Sequence, residues 1–222
     1  MKKGKLIVIE GACDGIGKTT QFNMLYDRLI QDGYKVVSHH FPSYNTYQGA
    51  PVEHYLAGDF GTPKDNSPYF INGLYAIDRA VTWKTELQES YENDDIVLLD
   101  RYTTSSLIYQ ASVIEDIEER KKFLDYVSDF EYNRLGIQKP DFVIFLTADF
   151  DVANKLRIAR GDNEGIKNDL HERDIDYMKH VYDNALFVAN YLKWNIITCD
   201  KDGKFRTKED IHDEIYNLIQ KK

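Results

Sequence analysis

Five short runs built around consecutive apolar residues, in KLIVIE, YKVVSHH, DIVLLD, DFVIFL and WNIITC, are spaced along the chain with longer amphipathic segments between them. A strand that is apolar on successive residues has no face to give to water, so both of its sides must be covered. Strands of this kind alternating with helices specify an α/β fold, a five-stranded parallel sheet flanked by helices. Phe22, Leu25, Tyr26, Leu29 and Ile30 fall on one face of the first helix, and Gly33 is placed to end it. A second helix opens at SPYFINGLYAIDRAVTW, with Ser67 as cap, Pro68 at the first helical position and Phe70, Leu74, Ile77 and Val81 continuing the apolar pattern. Tyr75 and Arg79, four apart, share a face of it. A chain of 222 residues without repeats suits one domain, 1–222. The polar, glycine-punctuated stretch RGDNEGIKNDLHER reads as a lid at about 161–173, before a helical run resumes around Tyr177 to Leu192.

The first strand runs into VIEGACDGIGKTTQ. A phosphate loop G-x-x-x-x-G-K-[ST] has four residues between its framing glycines, whereas Gly11 and Gly17 enclose Ala12, Cys13, Asp14, Gly15 and Ile16, one too many. Counted back from Gly17, Lys18 and Thr19, the first framing position is Ala12. In the context of strand, loop and helix, Ala12 to Thr20 is then an ATP-binding segment whose backbone N–H groups cradle phosphates. Lys18 neutralises those phosphates, and the Thr19 hydroxyl reaches Mg²⁺. A lysine at a helix N-terminus opposes the helix dipole unless an anion is bound there. The surplus residue is expected as a bulge confined to Gly11–Cys13, with Gly11 taking the unusual torsion. Asp100 ends the buried strand of DIVLLDRY, where ligand sites of α/β sheets gather, and is the second candidate Mg²⁺ ligand; Arg101 follows it.

The formal net charge of -9 argues against a nucleic-acid partner and requires any anionic ligand to be held locally. Two cysteines, Cys13 and Cys199, far apart and outside metal-ligand spacing, suit a reducing compartment, so the cytoplasm is expected. The apolar run Leu6 to Ile9 is too short for a signal-peptide core or a membrane span. His39 and His40 have no further ligand at a suitable spacing, so no metal pair is assigned to them.

The combination of DGIGKTTQ at 14–21, FP at 41–42, YAIDR at 75–79, DRYTTSSLIYQ at 100–110, PDFVIFL at 140–146 and ERD at 172–174 resembles the thymidylate kinase family, over nearly the whole chain. The resemblance implies a P-loop kinase fold, transfer of the ATP γ-phosphate to dTMP with Mg²⁺, and a homodimer. It also implies roles: Asp14 accepts from the 3′-hydroxyl, Tyr75 stacks on thymine, and Arg79 donates to its O4. Arg101 grips the acceptor phosphate, Tyr102 crowds the 2′ position, Phe41 and Pro42 border the substrate, and Tyr109 and Gln110 line the nucleoside site, with Ser105 or Ser106 as a further base contact. Ile16 between Gly15 and Gly17 resembles the relatives that carry the catalytic cation in the lid. The candidates are Arg157, Arg160, Lys167 and Arg173, of which Arg160 and Arg173 are favoured.

Two departures stand out. His40 and Tyr44 occupy positions where relatives carry arginine near the proline, and E-G-A-C-D-G-I-G-K replaces E-G-x-D-G-x-G-K. Two other readings remain open. A deoxyribonucleoside kinase or another nucleoside monophosphate kinase would share the loop, although the former tends to show E-R-S where this chain has Asp100, Arg101 and Tyr102. A nucleotide-binding regulator without turnover would leave Arg101 and the lid bases without a task.

Overall fold

The computed structural model describes residues 5–12, 15–62, 65–153 and 175–220. Strands β1 (Lys5–Gly11), β2 (Val36–His40), β3 (Ile96–Asp100), β4 (Phe142–Thr147) and β5 (Asn195–Thr198) coincide with the five apolar runs. They form one parallel sheet in the order β2-β3-β1-β4-β5. Alternate residues of β1 serve opposite faces, as burial on both sides requires. Ile7 and Ile9 pack with Leu25 and Leu29 of α1 (Lys18–Gln31) and with Ile211 and Ile215 of the helix Lys208–Gln220. Leu6 and Val8 pack with Phe41, Trp83, Leu99 and Tyr102.

The helix signals hold. Gly33 (φ 85) follows α1, and its N–H donates to the Ile30 carbonyl. Ser67 Oγ accepts from the Tyr69 N–H at the start of α3 (Pro68–Thr82). The shorter α2 (Ala50–Ala57) and α4 (Gln88–Glu92), with α5 (Thr103–Ser112), α6 (Ile117–Ser128) and the helix Ile175–Tyr191, complete the layers. Two π-helical turns, Trp83–Leu87 after α3 and Asp129–Arg134 after α6, and the antiparallel pair β6 (Asp200–Lys201) and β7 (Lys204–Phe205) were not anticipated. The register sets Ile9 beside Asp100 and His40 beside Asp100, so the carboxyl ends of β1, β3 and β2 converge. No helix among the described residues is long and apolar enough to cross a membrane.

Candidate active site

β1 stays in register with β4 to its last residue, Gly11 beside Leu146, and the Ala12 N–H donates to the Leu146 carbonyl at 3.0 Å. Ala12 is buried with Ile108, Phe145 and Val181. Ladder bonds and packing therefore leave no room for a bulge at Gly11 and Ala12. Nor does Gly11 take the left-handed torsion; Gly15 (φ 85) and Gly17 (φ 86) do. Gly11 is instead a point of close approach, where a Cβ would lie 2.7 Å from Ile16 Cδ1 and 2.9 Å from Lys18 Cδ. Gly17 brings no side-chain cap to α1, which leaves the helix N-terminus suited to an anion. Lys18 is 8% exposed, and Thr19 and Thr20 are exposed beside it. Cys13 and Asp14 lie outside the described residues, as do the lid candidates Arg157, Arg160, Lys167 and Arg173.

Asp100 lies at the end of β3, with Oδ2 3.1 Å from His40 Nδ1 and Oδ1 buried without a partner among the described residues. Burial alone would raise its carboxyl, but the His40 hydrogen bond and the Lys18 and Arg101 cations hold it below the usual value. Arg101 has φ 66, a left-handed torsion costing a non-glycine residue roughly 1 kcal/mol and typical of functional sites. Its Nη1 donates to Tyr109 Oη at 3.3 Å, and the guanidinium lies over the Tyr109 ring at 5.4 Å. Glu10 Oε1 is 3.5 Å from the same Nη1. The Glu10 carboxylate, fully buried, also accepts from the Gly11 N–H, Thr104 Oγ1 and Ser105 Oγ. Arg101 is thus held between a carboxylate and an aromatic ring, with its side chain 16% exposed.

On α3, Asn72, Tyr75 and Arg79 share one face. The Arg79 guanidinium lies 5.9 Å from the Tyr75 ring centroid and is bound by both oxygens of Glu131, at 2.6 and 2.7 Å. Burial opposes the Arg79 charge, but Glu131 outweighs it and the guanidinium pKa is raised. Ser106 Oγ accepts from Arg79 Nη2 at 2.8 Å, so Ser106 belongs to this cluster, whereas Ser105 turns to Glu10.

Tyr102 is fully buried, its hydroxyl donates to the Gln138 carbonyl, and its ring packs on Phe41. Half-buried Tyr109 lies beside Arg101. Phe41 and Pro42, joined by a cis peptide bond, are buried as well, and Phe41 is a core residue. The turn they begin is tied to α3 by the Ser43 N–H donating to Asp78. Gln110 is buried on α5.

Glu10, Glu131 and the His40 contact were not assigned from sequence. A signal existed for Glu131: it falls eight residues after Phe123 and four after Val127, in the π-helical turn that continues the buried stripe of α6, where a carboxylate demands a buried cation. Glu10 likewise stands in an apolar strand.

Against known proteins, the thymidylate kinase family model matches residues 9–215. The chain is 30% identical over 202 residues to a thymidylate kinase of Mycobacterium tuberculosis, covering 89% of this chain and 92% of the relative. It is 29% identical over 220 residues to one from Schizosaccharomyces pombe, covering 98% and 92%. Among solved structures it is similar in fold to thymidylate kinase from Candida albicans, with a TM-score of 0.74 at 22% identity, covering 99% and 92% of the two chains.

Proposed function

We propose that this chain, which belongs to the thymidylate kinase family, transfers the γ-phosphoryl group of ATP to dTMP, giving dTDP and ADP. The observation that carries the reading is the convergence of two cations from different elements: Lys18 of the phosphate loop and Arg101 beyond β3 both act on Asp100. One cation serves the donor phosphates and the other the acceptor phosphate. In this reading Ala12 to Thr20 wrap the ATP phosphates and Arg101 holds dTMP by its phosphate. Asp14 accepts from the 3′-hydroxyl, Tyr75 stacks on the base, Arg79 donates to O4, Tyr102 crowds the sugar's 2′ position, and Tyr109 and Gln110 line the nucleoside site. Arg160 and Arg173 supply lid charge. The acceptor phosphate oxygen is an adequate nucleophile, so positioning and charge neutralisation suffice and no general base is needed.

The buried Asp100 Oδ1, without a partner among the described residues and on a carboxyl held ionised, and the exposed Thr19 at the helix N-terminus fit a divalent cation. These two residues would hold Mg²⁺, which when bound neutralises charge on the phosphates. An ion of this kind is bound chiefly through phosphates and water. We further infer a single domain with a lid at about 161–173, working as a cytoplasmic homodimer without nucleic acid or membrane.

Coupled ADP release measured with dTMP, dUMP, dCMP and thymidine tests the reading. Turnover with dTMP should exceed that with dCMP by on the order of a hundredfold or more, because a base donor faces a protein donor there. Preferential use of thymidine would make the chain a nucleoside kinase, and ATP binding without ADP release for any acceptor would make it a regulator.

A further inference from the structure

Arginine has five N–H donors in a rigid fork. In Arg79 three are committed to short bonds: Nε to Glu131 Oε2 at 2.6 Å, and Nη2 to Glu131 Oε1 at 2.7 Å and to Ser106 Oγ at 2.8 Å. Nη1 makes only a 3.4 Å contact with the Tyr102 carbonyl. Asn72, fully buried, accepts from Nη2 at 3.4 Å and leaves its Nδ2 without a partner among the described residues. Buried polar groups are normally paired, so under-used donors on two side chains of one buried cluster mark a polar complement that a ligand completes.

The cluster differs from a phosphate site in its charge. Arg101, in a 3.5 Å contact with Glu10, keeps charge to offer a phosphate, whereas Arg79, bound by both oxygens of a buried carboxylate at 2.6 and 2.7 Å, is neutral as a pair and offers directional N–H groups. The bidentate contact also fixes the guanidinium plane. From this geometry we infer that Glu131 is a positioning residue that sets base specificity: it cancels the charge of Arg79 and aims Nη1 at a neutral carbonyl oxygen, the O4 of the base. Glu131 does so across 52 residues of sequence, from inside the π-helical turn Asp129–Arg134. A second π-helical turn, Trp83–Leu87, begins four residues after Arg79. Such turns are rare and recur at functional sites. The inference rests on the thymidylate reading given above.

The test compares dTMP with 4-thio-dTMP, whose sulfur is a poor hydrogen-bond acceptor, in the parent and in Glu131→Gln. Gln keeps the shape but loses the charge and one acceptor. The KM for dTMP should rise about tenfold or more, while kcat and the KM for ATP stay within about threefold. The preference for dTMP over the thio analogue, as a ratio of kcat/KM values, should fall by about tenfold. Loss of folded protein cancels from that ratio, so a purely structural role for Glu131 would leave it unmoved. A folded Glu131→Gln enzyme whose preference stays within about twofold of the parent overturns the inference. Should this variant fail to fold, Ser106→Ala removes the other short bond to Nη2 and reads the same ratio, with an unchanged ratio again decisive against it. A parent protein that turns over neither nucleotide overturns the thymidylate reading itself, and the role of Glu131 with it.

Discussion

At the scale of single residues, the position of Lys18 depends on the methylene stem that carries its charge, and that stem passes over Gly11. The atoms that a Gly11 Cβ would meet, Ile16 Cδ1 and Lys18 Cδ, are both in flexible side chains. Gly11→Ala should therefore fold while displacing the lysine. Turnover is expected to drop roughly tenfold to a hundredfold, approaching Lys18→Ala, where the lost charge stabilisation is on the order of 3 kcal/mol. Kinetics beside thermal melting separate this from the opposite pattern, a lower melting temperature with activity intact. Glu10 stands to Arg101 as the stem stands to Lys18, since its buried carboxylate ties the guanidinium, α5 and β1 together. Glu10→Gln should raise the KM for dTMP about tenfold and leave the KM for ATP nearly unchanged. A larger effect on ATP than on dTMP would remove Glu10 from the acceptor side.

Among the elements, β2 carries a pH-sensitive joint. His39 Nε2 pairs with Ser43 Oγ at 2.9 Å, and its ring packs on Phe41 at 4.7 Å. Burial lowers its pKa from 6.5, against the opposing pull of Glu86 and Asp78. The sign follows from linkage: the unfolded chain takes up the proton first, so the His39 contribution is intact above pH 6.5 and is lost as pH falls from there towards the depressed folded value. Urea unfolding of the parent and of His39→Gln between pH 7.5 and 5 should show a shallower fall for the variant, and equal slopes would contradict the assignment. The strands and their order of appearance were legible because burial on both faces leaves continuous apolar runs, and Ser67, Pro68 and Gly33 mark helix ends by local chemistry. Register was not legible. That β1 keeps pairing to Gly11 depends on Leu146, far along the chain, so the sequence suggested a bulge over Gly11–Cys13 that the ladder excludes at Gly11 and Ala12. The burial of Tyr102 and Phe41 was not legible for a related reason: a motif names residues near a site without saying how deeply each sits in the core. The spacing put Arg79 on one helix face with Tyr75 and its role came from the resemblance, but its partner Glu131 came from a distant turn, and only a carboxylate on an apolar stripe hinted at it.

At the scale of the molecule, α3 has two occupations. Asn72, Tyr75 and Arg79 line one face, while Phe70 and Ile77, 48% and 50% exposed, lie seven apart on another, with Phe60 against Phe70. An exposed apolar face on a helix that also builds the site is the expected seat of the homodimer contact proposed above. If the parent sediments as the proposed dimer, Ile77→Glu should sediment as a monomer at the same concentration, and an unchanged sedimentation coefficient would place the contact elsewhere. The recession of Lys18 and Arg101 has a consequence for encounter rates. A chain of net charge -9 keeps these cations nearly out of contact with solvent, so on coming within a Debye length of the surface, about 10 Å at 0.1 M salt, an incoming nucleotide meets an acidic particle. Diffusion towards the protein is then opposed until the last few ångströms. Stopped-flow association of dTMP should quicken as ionic strength rises from low to moderate values, the reverse of an electrostatically steered enzyme. A rate that slows with added salt would assign the approach to exposed cations elsewhere on the chain. If the rate quickens, capture depends on how often a nucleotide crosses a repulsive outer shell, and dilute buffers will understate how fast the protein binds dTMP at cellular ionic strength.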